Sequence, residues 1–285
     1  MSGLESAIAA AFIGACLDEL EAPKPGNVHV YADGHGWTVA DFQRSAEAAA
    51  PAIARADASI GARVLGAIEA THAAVGYNTN LGIVLLCAPL ACAAQSRLPP
   101  RPDAMARLMR KLEVGDAELV FRAIALAAPG GLGRVDRHDV FQPAAVTLLD
   151  AMVEAAPRDS IARQYANGFA DIYDLGAPWL QDSARRWPAC PPAATLCVHL
   201  GFLATFPDSH IQRKHGLEIA LEVQREAMPL FSLSRSLDDP GVLFAQALVL
   251  DARLKRRGLN PGASADLTVA TLFARRLENI GAEQD

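Results

Sequence analysis

Aromatic residues are scarce in this 285-residue chain, at 6% of the total. Runs of β-branched residues are scarce as well, which removes the usual material of a β-sheet. No stretch alternates apolar and polar residues for long enough to form a strand with one wet face. Positive charge is not in excess either. A formal net charge of −6 and a pI near 5.7 leave no general basic field to attract nucleic acid, although a local pocket can still bind phosphate. The strongest apolar run, Leu81 to Ala94, is shorter than the roughly 20 residues that a membrane span requires, so it predicts a buried core helix and no membrane partner. Met1 to Leu20 carries Glu5, Asp18 and Glu19 and lacks the basic start and unbroken apolar stretch of a signal peptide. Cysteine is sparse and unpaired. Cys16, Cys87, Cys92, Cys190 and Cys197 form no C-x-x-C, which predicts free thiols in a reducing cytoplasm instead of a zinc site or disulfide framework.

What the chain does have is 51% apolar residues, much of it alanine, with 20% charged residues. Ala, Leu, Arg and Glu favour helix. The expectation is an all-α, single multi-helix domain over residues 1–285, with roughly ten or more helices packed closely on small side chains.

Helical spacing places helices at Ser2–Leu20, from Trp37 with Thr38 as N-cap and Asp41 in the first turn, at Ser59–Ala74 and from Leu81. Further helices are predicted at Asp116–Ala128, Phe141–Ala155, Asp159–Tyr173, after a break at Pro188–Pro192 to Phe206, and at Lys214–Met228, Gly241–Arg257 and Ala263–Leu277. Between them lie Ala22-Pro23-Lys24-Pro25-Gly26, the polar loop to Gly36, Gly76–Asn80, a proline-rich turn at Arg97–Asp103, Pro129-Gly130-Gly131 and Asn260-Pro261-Gly262.

Polar residues recur at these junctions, where an all-α enzyme builds its site. Lys24 between two prolines reads as a rigidly held phosphate contact or as a solvated turn residue. Asn78-Thr79-Asn80 before Gly82 reads as a helix cap or as an anion site using the helix dipole. Pro129 to Arg134 is glycine-rich, but it follows a helix and lacks the Gly-Lys-Ser/Thr of a P-loop. In Pro207 to Gly216, Arg213 and Lys214 stand at a predicted helix start, where the dipole disfavours cations, and phosphate binding would account for them. Asn260 to Asp266 reads as a turn with Ser264 as cap and Asp266 in the first helical turn. His138-Asp139 raises a competing idea, a metal phosphohydrolase using His72 and Asp171 or Asp208 as further ligands. An isolated His-Asp pair also arises by chance.

Taken in order, these stretches resemble the triphosphoribosyl-dephospho-CoA synthase family along nearly the whole chain. The matching segments are Lys24–Asn27, Asp41-Phe42 with Ser45, Glu69-Ala70, Asn78–Gly82, Asp116–Glu118, Pro129–Gly133 and Asp139-Val140. The series continues with Arg163–Tyr165, Pro207–Ser209, Arg213–Gly216, and Leu259–Gly262 through Leu267. The resemblance implies an all-α transferase that joins the ribose of ATP to the 2′-hydroxyl of 3′-dephospho-CoA and releases adenine. It implies ATP as substrate and Mg²⁺ on the triphosphate. Under this reading Glu69, Asp116 and Asp139 are the catalytic candidates, with Asp116 and Asp139 as Mg²⁺ ligands. Lys24, Asn27, Asn78, Asn80, Asp208, Arg213 and Lys214 are the phosphate- and substrate-binding candidates. A homodimer is the assembly held open.

Two departures stand out. Leu81 occupies a place where the family tends to carry lysine, and Asp33-Gly34-His35-Gly36-Trp37 replaces a Gly-Ala-His segment. They keep a second reading open, a divergent ribosyl transferase acting on another acceptor, such as a pterin or furan one-carbon carrier. A non-catalytic nucleotide-binding protein is the third.

Overall fold

The computed structural model describes residues 1–131, 133 and 137–282. Leu132 and Arg134, part of the glycine-rich segment singled out above, lie outside them. The all-α expectation holds. The described residues form α1 (Gly3–Leu20), α2 (Val39–Ala54), α3 (Ile60–Val75), α4 (Leu81–Gln95), α5 (Pro102–Met109), α6 (Val114–Ala127) and α7 (Leu148–Ala155). They continue with α8 (Ser160–Asn167), α9 (Ala177–Arg186), α10 (Pro191–Thr205), α11 (Ser209–His215), α12 (Leu217–Ser234), α13 (Pro240–Arg256) and α14 (Gly262–Ala282). A π-helical turn, Asp171–Gly176, leads into α9.

Local chemistry sets most boundaries. Ser2 and Thr38 close capping boxes with Glu5 and Asp41, and Ser59 accepts from the Ala62 N–H. The α4 run is buried on nearly every face from Ile83 to Leu90, as a helix apolar all round must be. It packs on α14, α3 and α2, while α1 packs on α2 and α14. Phe12 of α1 meets Phe273 of α14 edge-to-face at 5.8 Å. Alanines such as Ala46, Ala49, Ala50 and Ala67 fill the contacts, which lets α1, α2 and α3 approach closely. A second apolar cluster joins α10, α11, α12 and α13 through Leu203, Ile211, Val223 and Leu250. The five cysteines are free.

Several boundaries differ from expectation, among them the helix predicted over Asp159–Tyr173, which ends as α8 at Asn167, where Gly168 turns left-handed with a φ of 69°. The helix predicted from Phe141 begins only at α7, because Pro143 cannot donate to a helical ladder and Thr147 supplies the cap. The helix predicted from Lys214 is two helices, divided at Gly216, whose φ of 89° suits glycine alone. Arg213 and Lys214 therefore occupy the last turn of α11, where the dipole welcomes cations, and their position needs no phosphate to explain it. Ser264 is not a cap. It lies within α14, with its N–H and hydroxyl both donating to Asp208 at 2.8 Å.

Candidate active site

A single cleft of about 980 Å³ gathers most of the chemistry. Its wall is built from the N-terminal ends of α4, α8, α11 and α14, the C-terminal end of α6, and α7. Side-chain bonds lock these ends together. Asp208 caps α11 through the His210 and Ile211 N–H groups and receives Ser264 of α14. Ser209 accepts from the Ser160 N–H at the start of α8. Asn78 accepts from the Leu81 N–H at the start of α4. Thr79 donates to Ser45, which donates to the Asp41 carbonyl, so α2 fixes where α4 begins. Several positive helix ends thus converge on one volume.

Two glycines let neighbouring side chains close in. A Cβ on Gly82 would collide with the Asp266 carboxyl, and one on Gly262 with the His210 ring. His210 is neutral. Burial first, then Lys214 and Arg213, lower it to about 3.

The inner wall is a buried polar chain. Glu19 reaches the cleft from α1 and pairs with Lys24, which is fully buried. The Lys24 ammonium also donates to Asn27 at 3.2 Å, and the Asn27 amide donates to Asn260 at 2.9 Å. Desolvation pushes Glu19 up and Lys24 down, while their mutual attraction and hydrogen bond oppose both shifts. An ion pair closed in this way is the outcome. Asp266 lines the same wall. Among the described residues it has no hydrogen-bond or ion-pair partner. Desolvation, then the like charges of Asp208, Glu19 and Asp159, hold its carboxyl well above the usual range, with Arg213 pulling the other way.

The outer part is more open. Trp37 and Tyr77 lie nearly parallel with centroids 6.5 Å apart, and Phe42 meets Trp37 edge-on. His138, at a left-handed φ of 54°, sits 3.3 Å from Glu154. Arg213 donates to the Gly130 carbonyl at 3.1 Å, and Lys214 lies against the same glycine.

Of the residues singled out from sequence, Asn27, Asn78, Asp139, Arg213 and Lys214 line this cleft. The other catalytic and phosphate-binding candidates are placed elsewhere. Lys24 stands behind Glu19, since the prolines on either side turn it inward. Asn80 is buried and donates to Thr71. Asp208 is occupied by backbone and Ser264 donors. Asp116 is committed to the Gly61 and Glu113 N–H groups, so it does not fit a shared Mg²⁺ site with Asp139. Glu69 lies on an exposed face of α3. His72 and Asp139 line the cleft, but Asp171 pairs with Arg163 away from it. Among the described residues no three His, Cys, Asp or Glu side chains converge to hold a metal ion, which removes the support for a His138-Asp139 phosphohydrolase centre.

Glu19 and Asp266 were not among the candidates drawn from the sequence. Asp266 fell inside a stretch that a turn and a helix start explained adequately. Glu19 sat in an ordinary amphipathic helix.

The family model described as CitG: ATP:dephospho-CoA triphosphoribosyl transferase matches residues 5–285. Among solved structures, the chain resembles one from Archaeoglobus fulgidus described as a candidate triphosphoribosyl-dephospho-CoA synthase. It is 26% identical with a TM-score of 0.63, over 81% of this chain and 95% of that one. No curated protein matches significantly. Among the described residues no helix is long and apolar enough to cross a membrane.

Proposed function

Because the chain belongs to the ATP:dephospho-CoA triphosphoribosyl transferase family, we propose that its cleft binds ATP by the triphosphate and passes the triphosphoribosyl group to the 2′-hydroxyl of 3′-dephospho-CoA, releasing adenine. The observation that carries this reading is the convergence of the α4, α8 and α14 N-termini on a cleft that also holds Arg213 and Lys214. Fixed helix ends and cations together suit a polyanion in an otherwise acidic protein. At about 980 Å³ the cleft is at the top of the roughly 300–1,000 Å³ range of ligand sites, as two substrates meeting there would require.

Lys214 and Arg213 contact phosphate in this reading, and Asn78 and Asn27 orient the substrate. Magnesium is usually bound by one or two carboxylates plus substrate phosphates. Asp139, on the cleft wall, suits such an ion arriving with the triphosphate, whose charge it would neutralise. The free thiols support a reducing cytoplasm as the working compartment.

The aromatic group Trp37, Phe42 and Tyr77 with Leu81 on the same wall favours a second reading of the acceptor alone, a flat-ringed molecule other than dephospho-CoA. One experiment separates the two. Incubation with ATP, Mg²⁺ and either dephospho-CoA or a pterin, followed by mass spectrometry, should yield free adenine and a triphosphoribosyl adduct with dephospho-CoA. An adduct only with the pterin would move the acceptor assignment. Absence of adenine under every condition would end the transferase reading.

A further inference from the structure

Glycosyl transfer from a nucleotide has two proton problems. The base leaves poorly unless a ring nitrogen is protonated, and the attacking hydroxyl must lose its proton. Two carboxyl groups suit this chemistry when their surroundings keep one protonated and the other ionised.

The inner wall of the cleft offers such a pair. Asp266 has no partner among the described residues and packs against the Gly82 backbone. Burial raises its pKa first; Asp208, Glu19 of α1 and Asp159 ahead of α8 add to that, while Arg213 of α11 and Lys24 oppose it. That balance, together with the lack of a hydrogen-bond or ion-pair partner among the described residues, favours the neutral acid. Glu19 is closed in an ion pair with buried Lys24, so the carboxylate is its resting form.

We propose that Asp266 is the proton donor to the departing adenine, that Glu19 is the proton acceptor for the attacking hydroxyl, and that Lys24 is a positioning residue serving both. This assignment rests on the transferase reading given above. The C1′–N9 bond breaks and its electron pair stays with adenine. The Asp266 proton goes to an adenine ring nitrogen, so neutral adenine leaves. The acceptor oxygen forms its bond to C1′ and its proton passes to the Glu19 carboxylate. Negative charge therefore moves from Glu19 to Asp266, and Lys24 attracts both positions. The net charge of the wall is constant, and the proton returns to Asp266 between turnovers.

The test uses the purified full chain with ATP and an N7-methylated ATP, whose base carries a positive charge and leaves without protonation. Wild type must first release adenine from ATP in the presence of dephospho-CoA; if it does not, the transferase reading itself has failed. Given wild-type activity, Asp266→Asn should lower turnover of ATP by roughly 100-fold or more, a typical size for general acid catalysis, with ATP affinity retained by titration. The same variant should recover most of its rate with the methylated donor and lose the alkaline limb of the pH profile. Glu19→Gln should be impaired with both donors. If that variant fails to fold, the neutral pair Glu19→Gln with Lys24→Met replaces it. Equal loss of both donors in Asp266→Asn, or near wild-type turnover of ATP, would overturn the assignment.

Discussion

The inner and outer parts of the cleft are made of similar residue types and behave as opposites. Inside, Lys24, Glu19, Asn27 and Asn260 are almost fully buried and satisfy one another, and removing any one strands the next. Outside, Lys214 and the Trp37–Tyr77 pair face solvent and are held by few bonds. The lesson concerns what a charged residue in a loop does. Lys24, flanked by prolines, looks like a phosphate contact yet serves as a buried counterion. Lys214, in the last turn of a short helix, has no ion-pair or hydrogen-bond partner among the described residues and can offer its ammonium to a ligand.

Substitutions should separate the two regions. Lys24→Ala leaves Glu19 buried without its cation, and breaking a buried pair costs about 3–5 kcal/mol; denaturant unfolding should show that loss, and an unchanged midpoint would place Lys24 in solvent after all. Gly82→Ala forces a methyl into the Asp266 carboxyl and should destabilise by about 1–3 kcal/mol, as overpacking does, with turnover falling at the same time.

Stability against pH is the next contrast. His210, together with fully buried His199, is lowered from 6.5 to about 3 by burial. The unfolded chain therefore binds protons that the folded chain refuses, so stability should decline from about pH 6.5 downward. Asp266 has the opposite sign. Its raised pKa means a contribution that is complete at low pH and lost as pH climbs through the folded value. Asp266→Asn should therefore raise the Tm more at pH 8 than at pH 5. An equal shift at both would mean that the carboxyl is not protonated in the folded chain.

On the outer wall, Lys214→Ala should weaken ATP binding by roughly tenfold, the worth of one charge-assisted contact, without altering the unfolding midpoint. Isothermal titration reads the first and denaturant the second. The smallest effect belongs to Glu69→Gln, on the exposed face of α3. It should change stability by no more than about 0.5 kcal/mol and leave turnover intact, and a dead enzyme would return Glu69 to the site.

Much of the fold was readable because its signals are local. Ser2, Thr38 and Ser59 cap helices within their own next turn, and the apolar run from Leu81 can only be an interior helix. Gly216 was missed because helical spacing continues across it, and only its positive φ marks the division. The candidate cleft was readable as a set of junctions to the extent that Asn27, Asn78, Asp139, Arg213 and Lys214 share it. Individual roles were not. Whether Asp116 meets a ligand or the Gly61 N–H depends on a neighbour 55 residues away. Whether Asp266 has a partner depends on α1, α8 and α11 together. Spacing along one helix carries no such information.

The pairing of α1 with α14 has a consequence for the order of assembly. Phe12 waits for Phe273, and Asp18 for Arg276, so the side of α1 that meets α14 is covered only when α14 has been synthesised, although α2 packs on α1 earlier. Contacts of such long sequence separation form slowly, and the apolar face of α1 is exposed meanwhile to other chains or to a chaperone. Glu19 and Asp266 come from these same two helices. Completion of the inner wall therefore coincides with completion of the fold, and no partly folded chain holds both carboxyl groups in one place.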